Sequence, residues 1–328
     1  MKKIKILATG GTIAGKAASS TQLTGYTAGA YSVDDLLASV PALGELAQIS
    51  GEQLCNIDSS SITDALLLRL SQRCNELLAQ EDVDGVVITH GTDTMEETAF
   101  FLNLTVKSDK PVVLVGAMRP ATAVSADGPL NIINAVKTAV CAESAGQGVL
   151  VVMNDEIYGG RDVMKTNTAN VATFKAPNGG ALGYIVGGEV RYYYRSVRPH
   201  TLAAEFAISN VTALPRVDII YAHIGQDRVL VDAACAAGAR GLVYAGSGMG
   251  SIHGAVEAAL AEAVQSGVVV VRSSRTGSGR VSAGLARWQE QGFLYADTLN
   301  PQKARLLLQL ALLQTHERSE VQELFLHY

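Results

Sequence analysis

The first half of the chain alternates short apolar runs with longer amphipathic stretches. Four runs of five residues are almost free of polar side chains and rich in Val, Ile and Leu: residues 4–8, 85–89, 111–115 and 149–153. Continuous runs of this kind are typical of strands buried on both faces of a parallel sheet. The pattern therefore predicts four parallel strands.

Three amphipathic helices are predicted among these strands, each beginning directly after a residue whose side chain can cap a helix. The pairs are Thr63 before residues 64–78, Thr94 before residues 95–104 and Asp127 before residues 128–140. Strands that alternate with helices indicate a doubly wound α/β sheet.

The segment from Asn154 to Pro215 has a different character. It is polar and rich in glycine and tyrosine, which predicts hairpins and loops. Strand and helix patterns resume near residue 217 and end in a helix after Pro301. We therefore predict a larger N-terminal α/β domain with a mostly parallel sheet, a linker and a smaller C-terminal α/β domain, at residues 1–195, 196–215 and 216–328.

Composition narrows the class of protein. The 328 residues are 48% hydrophobic and 17% charged, which suits a large buried core. The net charge of −5 argues against a nucleic-acid partner, because phosphate binding needs a concentrated basic surface. No apolar run reaches the ~18 residues of a membrane span.

The first residues predict a strand rather than a secretion signal. The apolar stretch before Gly10 is shorter than the ~7–15 residues of a signal-peptide core. We therefore expect a cytoplasmic protein, or a periplasmic one whose leader is absent from this chain. The four cysteines lack the spacing of a zinc site.

Two loops leave the carboxyl ends of predicted strands, where ligands bind in open parallel sheets. In the first, ATGGTIAG, Gly10 and Gly11 allow close backbone approach and are expected to present N–H groups around the Thr12 hydroxyl. The second, THGTDTMEE, places Thr92 and Asp93 just before a helix.

A threonine hydroxyl needs a neighbouring base or charge to act as a nucleophile. Tyr26 and Lys165, both in predicted loops, are the candidates. A hydroxyl, a base and backbone N–H donors are the parts that amide hydrolysis uses. The same residues also fit structural roles, with Thr12 stabilising a glycine-rich turn and Lys165 solvated on a loop, so spacing leaves both interpretations open.

Residues 10–17 also approach the phosphate-binding pattern GxxxxGK[ST]. The last position is Ala17, which has no hydroxyl for a magnesium ion. The residues that follow do not form a helix whose N-terminus could hold phosphate. Both features argue against nucleotide binding.

Six motifs together resemble the bacterial L-asparaginases, most closely the type II enzymes and the glutaminase-asparaginases. They are ATGGTIAG, THGTDTMEET, PVVLVGAMRP, SADGPLN, GGRDVMKTNT and TLNPQKARLLLQLAL, and the resemblance runs from about residue 4 to residue 328. It implies hydrolysis of L-asparagine to L-aspartate and ammonia, some action on L-glutamine, and no metal or organic cofactor. It also implies a homotetramer whose sites lie between the N-terminal domain of one subunit and the C-terminal domain of its neighbour.

The resemblance implies catalytic roles for five residues. Thr12 would be the nucleophile that forms an acyl-enzyme, and Tyr26 would lie beside it on a mobile loop that closes the site. Lys165 would support Thr92 in a second catalytic group. Asp93 belongs to that group and would also bind the α-amino group of the substrate.

On the substrate side, the resemblance assigns Ser59 to the α-carboxylate, backbone near Ala117 to the pocket wall and Ser251 to the neighbouring subunit. Ser60 departs from the type II pattern, which has Gln or Glu there to help hold the α-amino group. Glu290 lies several residues after the place of the acid that the neighbour supplies. One lost charge-assisted hydrogen bond costs ~1.5–3 kcal/mol, so we expect weaker recognition of free L-asparagine. The type II disulfide is expected to be absent.

Two other functions stay open on these grounds. An amidase for a modified or different amide would explain the departures at Ser60 and Glu290. A catalytically silent amino-acid-binding protein on the same fold is the alternative from another class. Thr12, Thr92 and Lys165 argue against silence, because a binding protein would not need all three.

Overall fold

A computed structural model describes residues 1–15, 19–22 and 31–328 of the chain. The chain divides into two units, and an eight-stranded sheet forms the centre of the first, residues 1–211. The strands of this unit are β1 (Lys3–Gly10), β2 (Gln48–Ile57), β3 (Gly85–Thr89), β4 (Val112–Val115), β5 (Val149–Met153), β6 (Glu156–Gly159), β7 (Met164–Lys165), β8 (Phe174–Lys175), β9 (Gly183–Val186) and β10 (Glu189–Tyr192). The large sheet has the spatial order β10-β9-β6-β5-β4-β3-β1-β2, and β7 and β8 form a separate hairpin. Strands β1 to β5 pair in parallel, whereas β6, β9 and β10 are antiparallel.

Helices cover both faces of this sheet. They are α1 (Val33–Ala38), α2 (Leu43–Leu46), α3 (Asp64–Leu78), α4 (Met95–Thr105) and α5 (Gly128–Val140). Alternate strand residues enter opposite cores: Val86 and Ile88 of β3 pack with α3 and α4, and Val87 packs with α1, α2 and α5. Both faces are therefore apolar, which explains the continuous runs in the sequence and confirms the doubly wound α/β prediction.

The elements that the sequence pattern predicted are present with small shifts at their ends. The helices predicted at 64–78 and 128–140 are observed with the same bounds. The pattern missed β2, which lies at the sheet edge and keeps most of its residues exposed or half-exposed. Its stability comes from pairing with β1 rather than from an apolar run of its own.

Residues 154–195 form the predicted hairpins. Strands β5 and β6 pair antiparallel, as do β9 and β10. The chain beyond them packs against the same unit. Lys107, just after α4, donates from Nζ to the Thr201 carbonyl at 3.3 Å, and Gln72 of α3 donates from Nε2 to the Ile208 carbonyl at 3.2 Å. The unit ends at Val211, within the segment predicted as a linker.

The second unit, residues 212–328, holds a four-stranded parallel sheet with strands in chain order. The strands are β11 (Val217–Tyr221), β12 (Gly241–Gly246), β13 (Val269–Ser274) and β14 (Leu294–Tyr295). The helices are α6 (Val229–Ala236), α7 (Gly254–Gln265), α8 (Ala286–Glu290), α9 (Pro301–Ala311) and α10 (Arg318–His327). Asn300 caps α9 by accepting from the Lys303 N–H at 3.1 Å, and Pro301 occupies the first helical position, where its missing N–H costs nothing.

Across the described ranges of both units, none of the helices combines the length and the apolar character that a membrane crossing would require.

Candidate active site

The turn after β1 is shaped by two glycines. Gly10 and Gly11 have φ angles of 100° and 82°, a region that favours glycine. The chain then enters a 3₁₀ turn at Thr12, whose exposed fraction is 8%. The Gly11 N–H donates to the Ile57 carbonyl at 3.1 Å. This bond ties the Thr12 turn to β2, and the arrangement of N–H groups around the Thr12 hydroxyl stays a prediction.

Close contacts between glycines bring three loops together. A Cβ atom on Gly11 would lie 2.4 Å from Gly91 Cα, and a Cβ on Gly91 would lie 2.6 Å from Ser59 Oγ. Neither position has room for a side chain. The turn of Thr12, the turn of Ser59 and the loop of Thr92 therefore pack against one another at the carboxyl edge of the sheet, although they are far apart in sequence.

Ser59 links two of these loops through hydrogen bonds. Its buried Oγ accepts from the Asp93 N–H at 3.2 Å, and its carbonyl accepts from the Thr94 hydroxyl at 2.9 Å. Thr94 precedes α4 as predicted, but its side chain makes no capping bond. The capping prediction for Thr94 is wrong because its hydroxyl is turned toward the Ser59 carbonyl and accepts from no N–H group of the first turn of α4. Thr63, by contrast, caps α3 by accepting from the Leu66 N–H at 3.3 Å.

Lys165 reaches this edge from the β7–β8 hairpin. It lies on a short strand rather than on the predicted loop. Its Nζ donates to Thr92 Oγ1 at 3.0 Å and contacts Asp93 Oδ1 at 2.5 Å. The exposed fraction is 15% for the Lys165 side chain and 57% for that of Asp93. The interpretation of Lys165 as a solvated loop charge is therefore wrong.

A cavity of about 320 Å³ opens beside this pair, lined by Asp93, Lys165, Thr166, Asn167 and Thr168. The lining residues are all of polar type and include one charge of each sign. Polar and charged side chains of this kind can orient a small polar ligand.

The loop after β4 carries Ala117, which is fully buried. Asp127 holds this loop by accepting from the N–H groups of Met118 and Arg119, both at 2.9 Å. Asp127 makes no capping bond to α5, so its predicted role as a helix cap is wrong. Its carboxylate instead satisfies two N–H groups that would otherwise lack partners in the turn.

His90 is a buried residue of this edge that the sequence reasoning did not single out. Its Nδ1 lies 2.6 Å from the Gly91 carbonyl and its Nε2 lies 2.9 Å from the Thr98 hydroxyl. These partners fit a neutral ring that donates from Nδ1 and accepts at Nε2. Burial lowers the pKa of His90 to about 4, against an opposing effect of the Gly91 carbonyl. The signal in the sequence was a histidine placed between a buried strand and the TDT motif.

Unfolding at mild acidity should depend on His90. Its pKa lies below the ordinary value of 6.5, so the unfolded chain binds a proton first as the pH falls. The stability that the neutral ring contributes is complete above pH 6.5 and is lost progressively toward pH 4, by about 3 kcal/mol in total. Urea unfolding of the wild type and of His90→Gln at several pH values measures this contribution. If the free energy of unfolding changed equally with pH in the two proteins, His90 would not make this contribution.

Ser60 is exposed and bonded within its own turn. Its hydroxyl donates to Asp58 Oδ1 at 2.8 Å, and its N–H donates to the same atom at 2.9 Å. The side chain of Ser60 is therefore engaged locally, whereas that of Ser59 turns into the buried edge.

The structure places two further predicted site residues and does not describe a third. Ser251 and Glu290 belong to the second unit, where both are exposed; Ser251 forms an isolated bridge with Ser247, and Glu290 ends α8. Tyr26 lies outside the described residues. The first unit alone thus brings together Thr12, Ser59, Thr92, Asp93, Ala117 and Lys165 at one edge of its sheet.

In the part of the chain that the structure describes, His, Cys, Asp and Glu side chains form no cluster of three or more that could hold a metal ion. All four cysteines are free thiols.

Two family sequence models match this chain. The model described as Asparaginase, N-terminal matches residues 3–198, and the Glutaminase/Asparaginase C-terminal domain matches residues 216–325.

Individual proteins match along the whole chain. L-asparaginase 2 of Bacillus subtilis (strain 168) is 50% identical over 100% of this chain and 87% of its own length. The glutaminase-asparaginase of Pseudomonas fluorescens biotype A is 44% identical over 100% of this chain and 91% of its own. The crystal structure of a probable cytoplasmic L-asparaginase from Campylobacter jejuni matches with a TM-score of 0.98 and 50% identity, covering 100% of both chains.

Proposed function

This chain belongs to the asparaginase family, and we propose that it hydrolyses the side-chain amide of L-asparagine to L-aspartate and ammonia, with L-glutamine as a second substrate. The observation that carries the proposal is the contact of Lys165 Nζ with Thr92 and Asp93, on a loop packed against the turn of Thr12. Amide hydrolysis through an acyl-enzyme needs a nucleophile and a group that transfers its proton, and the hydroxyl, amine and carboxylate groups of this edge can serve both purposes.

The reaction runs in two steps in this proposal. The Thr12 oxygen forms a bond to the amide carbon and loses its proton to a neighbouring base; the C–N bond then breaks and the nitrogen, once protonated, leaves as ammonia. A water molecule next attacks the Thr12 ester, and L-aspartate leaves as the hydroxyl regains its proton. We assign Thr92 and Lys165 to the proton transfers. Tyr26 is placed beside Thr12 by the resemblance alone.

The substrate backbone is bound by other groups of the same edge. Asp93 is exposed and lines the cavity beside Lys165, which supports its assignment to the α-ammonium group. Ser59 is assigned to the α-carboxylate and the backbone at Ala117 to the pocket wall. We further propose a homotetramer in which Ser251 of a neighbouring subunit completes the site. Light scattering should then report the mass of four chains.

The compartment stays a prediction, with the cytoplasm and the periplasm both open. The Campylobacter jejuni protein is named as cytoplasmic.

Ammonia release from a small set of amides tests the proposed function. L-asparagine, D-asparagine, L-glutamine and a β-aspartyl amide are compared at equal concentration. L-asparagine should give the highest kcat/KM and L-glutamine a measurable one. Turnover of the β-aspartyl amide alone would favour an amidase for another substrate, and binding without turnover of any of the four would favour a silent binding protein.

Ser60→Glu should lower the KM for L-asparagine about threefold to tenfold. Ser60 is turned onto Asp58 and offers no charge to the α-ammonium group. A glutamate there is repelled by Asp58 and can extend toward the substrate, adding one charge-assisted hydrogen bond in an exposed setting. Steady-state kinetics of the variant measure the change.

The control for this prediction addresses Glu290, the other departure from the family pattern. If Glu290 reached a neighbouring subunit's site and restored the missing charge, Glu290→Gln would raise KM about tenfold and Ser60→Glu would do nothing. That pair of results would show that the ammonium site is not weakened.

A further inference from the structure

A buried carboxylate holds the main chain of Lys165. Glu96 is the second residue of α4, and its exposed fraction is 4%. Its Oε2 accepts a hydrogen bond from the Lys165 backbone N–H at 2.6 Å. Hydrogen bonds to carboxylates are short and strong, and a carboxylate in the first helical turn is further favoured by the helix dipole.

Lys165 is therefore attached at both ends to one short segment of chain. Its Nζ contacts Thr92 and Asp93, and its backbone N–H contacts Glu96, which follows them on the first turn of α4. The lysine strand cannot move relative to Thr92 without breaking one of these contacts. Geometry at a reacting group depends on such support, since a shift of about 1 Å can cost 10²-fold in rate.

The other strand of the hairpin has an anchor of its own. Phe174 lies directly across from Lys165 in the β7–β8 pairing, and its carbonyl is 2.7 Å from the hydroxyl of buried Tyr158. Loss of the Glu96 contact should therefore leave the hairpin folded and displace mainly the strand that carries Lys165.

We propose that Glu96 is a positioning residue for the reaction. Its carboxylate sets where Lys165 Nζ meets Thr92 Oγ1, and it acts through the lysine backbone without touching the substrate. The role of Lys165 in turnover rests on the function proposed above, whereas the contact itself does not.

Two variants separate the charge of Glu96 from its hydrogen bond. Glu96→Gln keeps an oxygen acceptor and should lower kcat about tenfold, and Glu96→Ala removes the acceptor and should lower it about 100-fold. KM for L-asparagine should stay within about threefold, because the substrate contacts are unchanged. Glu97→Gln, the matched change one residue further along the same turn, should stay within about twofold of the wild type.

A double-mutant cycle tests whether the effect passes through Lys165. In a Lys165→Met background, Glu96→Ala should change the remaining kcat by less than about twofold, because the group that it positions is gone. An equal loss in both backgrounds, a change confined to KM, or no loss in either Glu96 variant would overturn the proposal. If Glu96→Ala fails to fold, as judged by circular dichroism, the volume-conserving Glu96→Gln decides the outcome.

Amide hydrogen exchange at residues 161–168 tests the Glu96 contact without relying on enzyme activity. Exchange should be faster in Glu96→Ala than in the wild type and unchanged in Glu97→Gln, and unchanged exchange in Glu96→Ala would also overturn the proposal. If exchange shifts as expected but the wild type releases no ammonia from any amide, the proposed function fails and the contact stands.

Discussion

Thr12→Ala should lose at least on the order of 10⁴-fold in kcat with L-asparagine, because it removes the hydroxyl that we assign to the acyl-enzyme. Thr12 begins a 3₁₀ turn whose shape depends on Gly10 and Gly11 and on packing against Gly91, and none of these changes in the variant. The fold should therefore persist. Ammonia release and far-UV circular dichroism, measured on the same preparation, check both parts.

Thr63→Ala is the matched control for this variant. It removes a threonine hydroxyl that caps α3 through the Leu66 N–H and has no assigned role in the reaction. It should cost about 0.5–2 kcal/mol of stability and leave kcat unchanged, the opposite pattern to Thr12→Ala. A reactive amide analogue followed by mass spectrometry supplies the direct test. An adduct found on Thr92 instead of Thr12, or activity retained in Thr12→Ala, would show that the nucleophile is misassigned.

Lys165→Met should lower kcat by about 10³-fold and change KM for L-asparagine by much less. The lysine contacts Thr92 and Asp93, and proton transfer by a positioned group contributes ~10²–10⁴-fold in rate. Methionine keeps most of the side-chain volume, so packing of the hairpin should survive. Steady-state kinetics with L-asparagine separate the two constants.

Lys175→Met controls for the loss of a lysine from the same hairpin. Lys175 lies on the partner strand, and its ion pair with Glu156 at 2.8 Å is partly exposed, so it contributes little. The kcat of Lys175→Met should be near that of the wild type. If Lys165→Met were as active as Lys175→Met, or if it raised KM without lowering kcat, Lys165 would not take part in proton transfer.

Local patterns sufficed for most of the fold. Both bounds of the helix Asp64–Leu78 were predictable, because the capping Thr63 directly precedes a stretch with helical apolar spacing. The buried strands were predictable because a sheet covered on both faces requires continuous apolar runs. Strand β2 was not, since an edge strand needs one partner and little burial.

Side-chain partners were less predictable than elements. Thr94 and Asp127 occupy the N-cap positions of α4 and α5. Their side chains nevertheless bind the Ser59 carbonyl and the N–H groups of Met118 and Arg119. A capping rule considers only neighbours in sequence, so it fails when a donor or acceptor from another loop lies closer.

The sequence by itself determined the strand and helix order, the family resemblance and the residue types of the site, because periodicity, turn chemistry and motifs are properties of neighbouring positions. Only the tertiary structure decided which of these residues meet. In the sequence Gly11 is an ordinary turn glycine, and only the structure shows its close contact with Gly91. Glu96 and Glu97 are equivalent in THGTDTMEE, and only the structure shows that Glu96 is buried. That distinction depends on where the β7–β8 hairpin places the Lys165 N–H, almost seventy residues further along the chain, and contacts at such a separation leave no local signal.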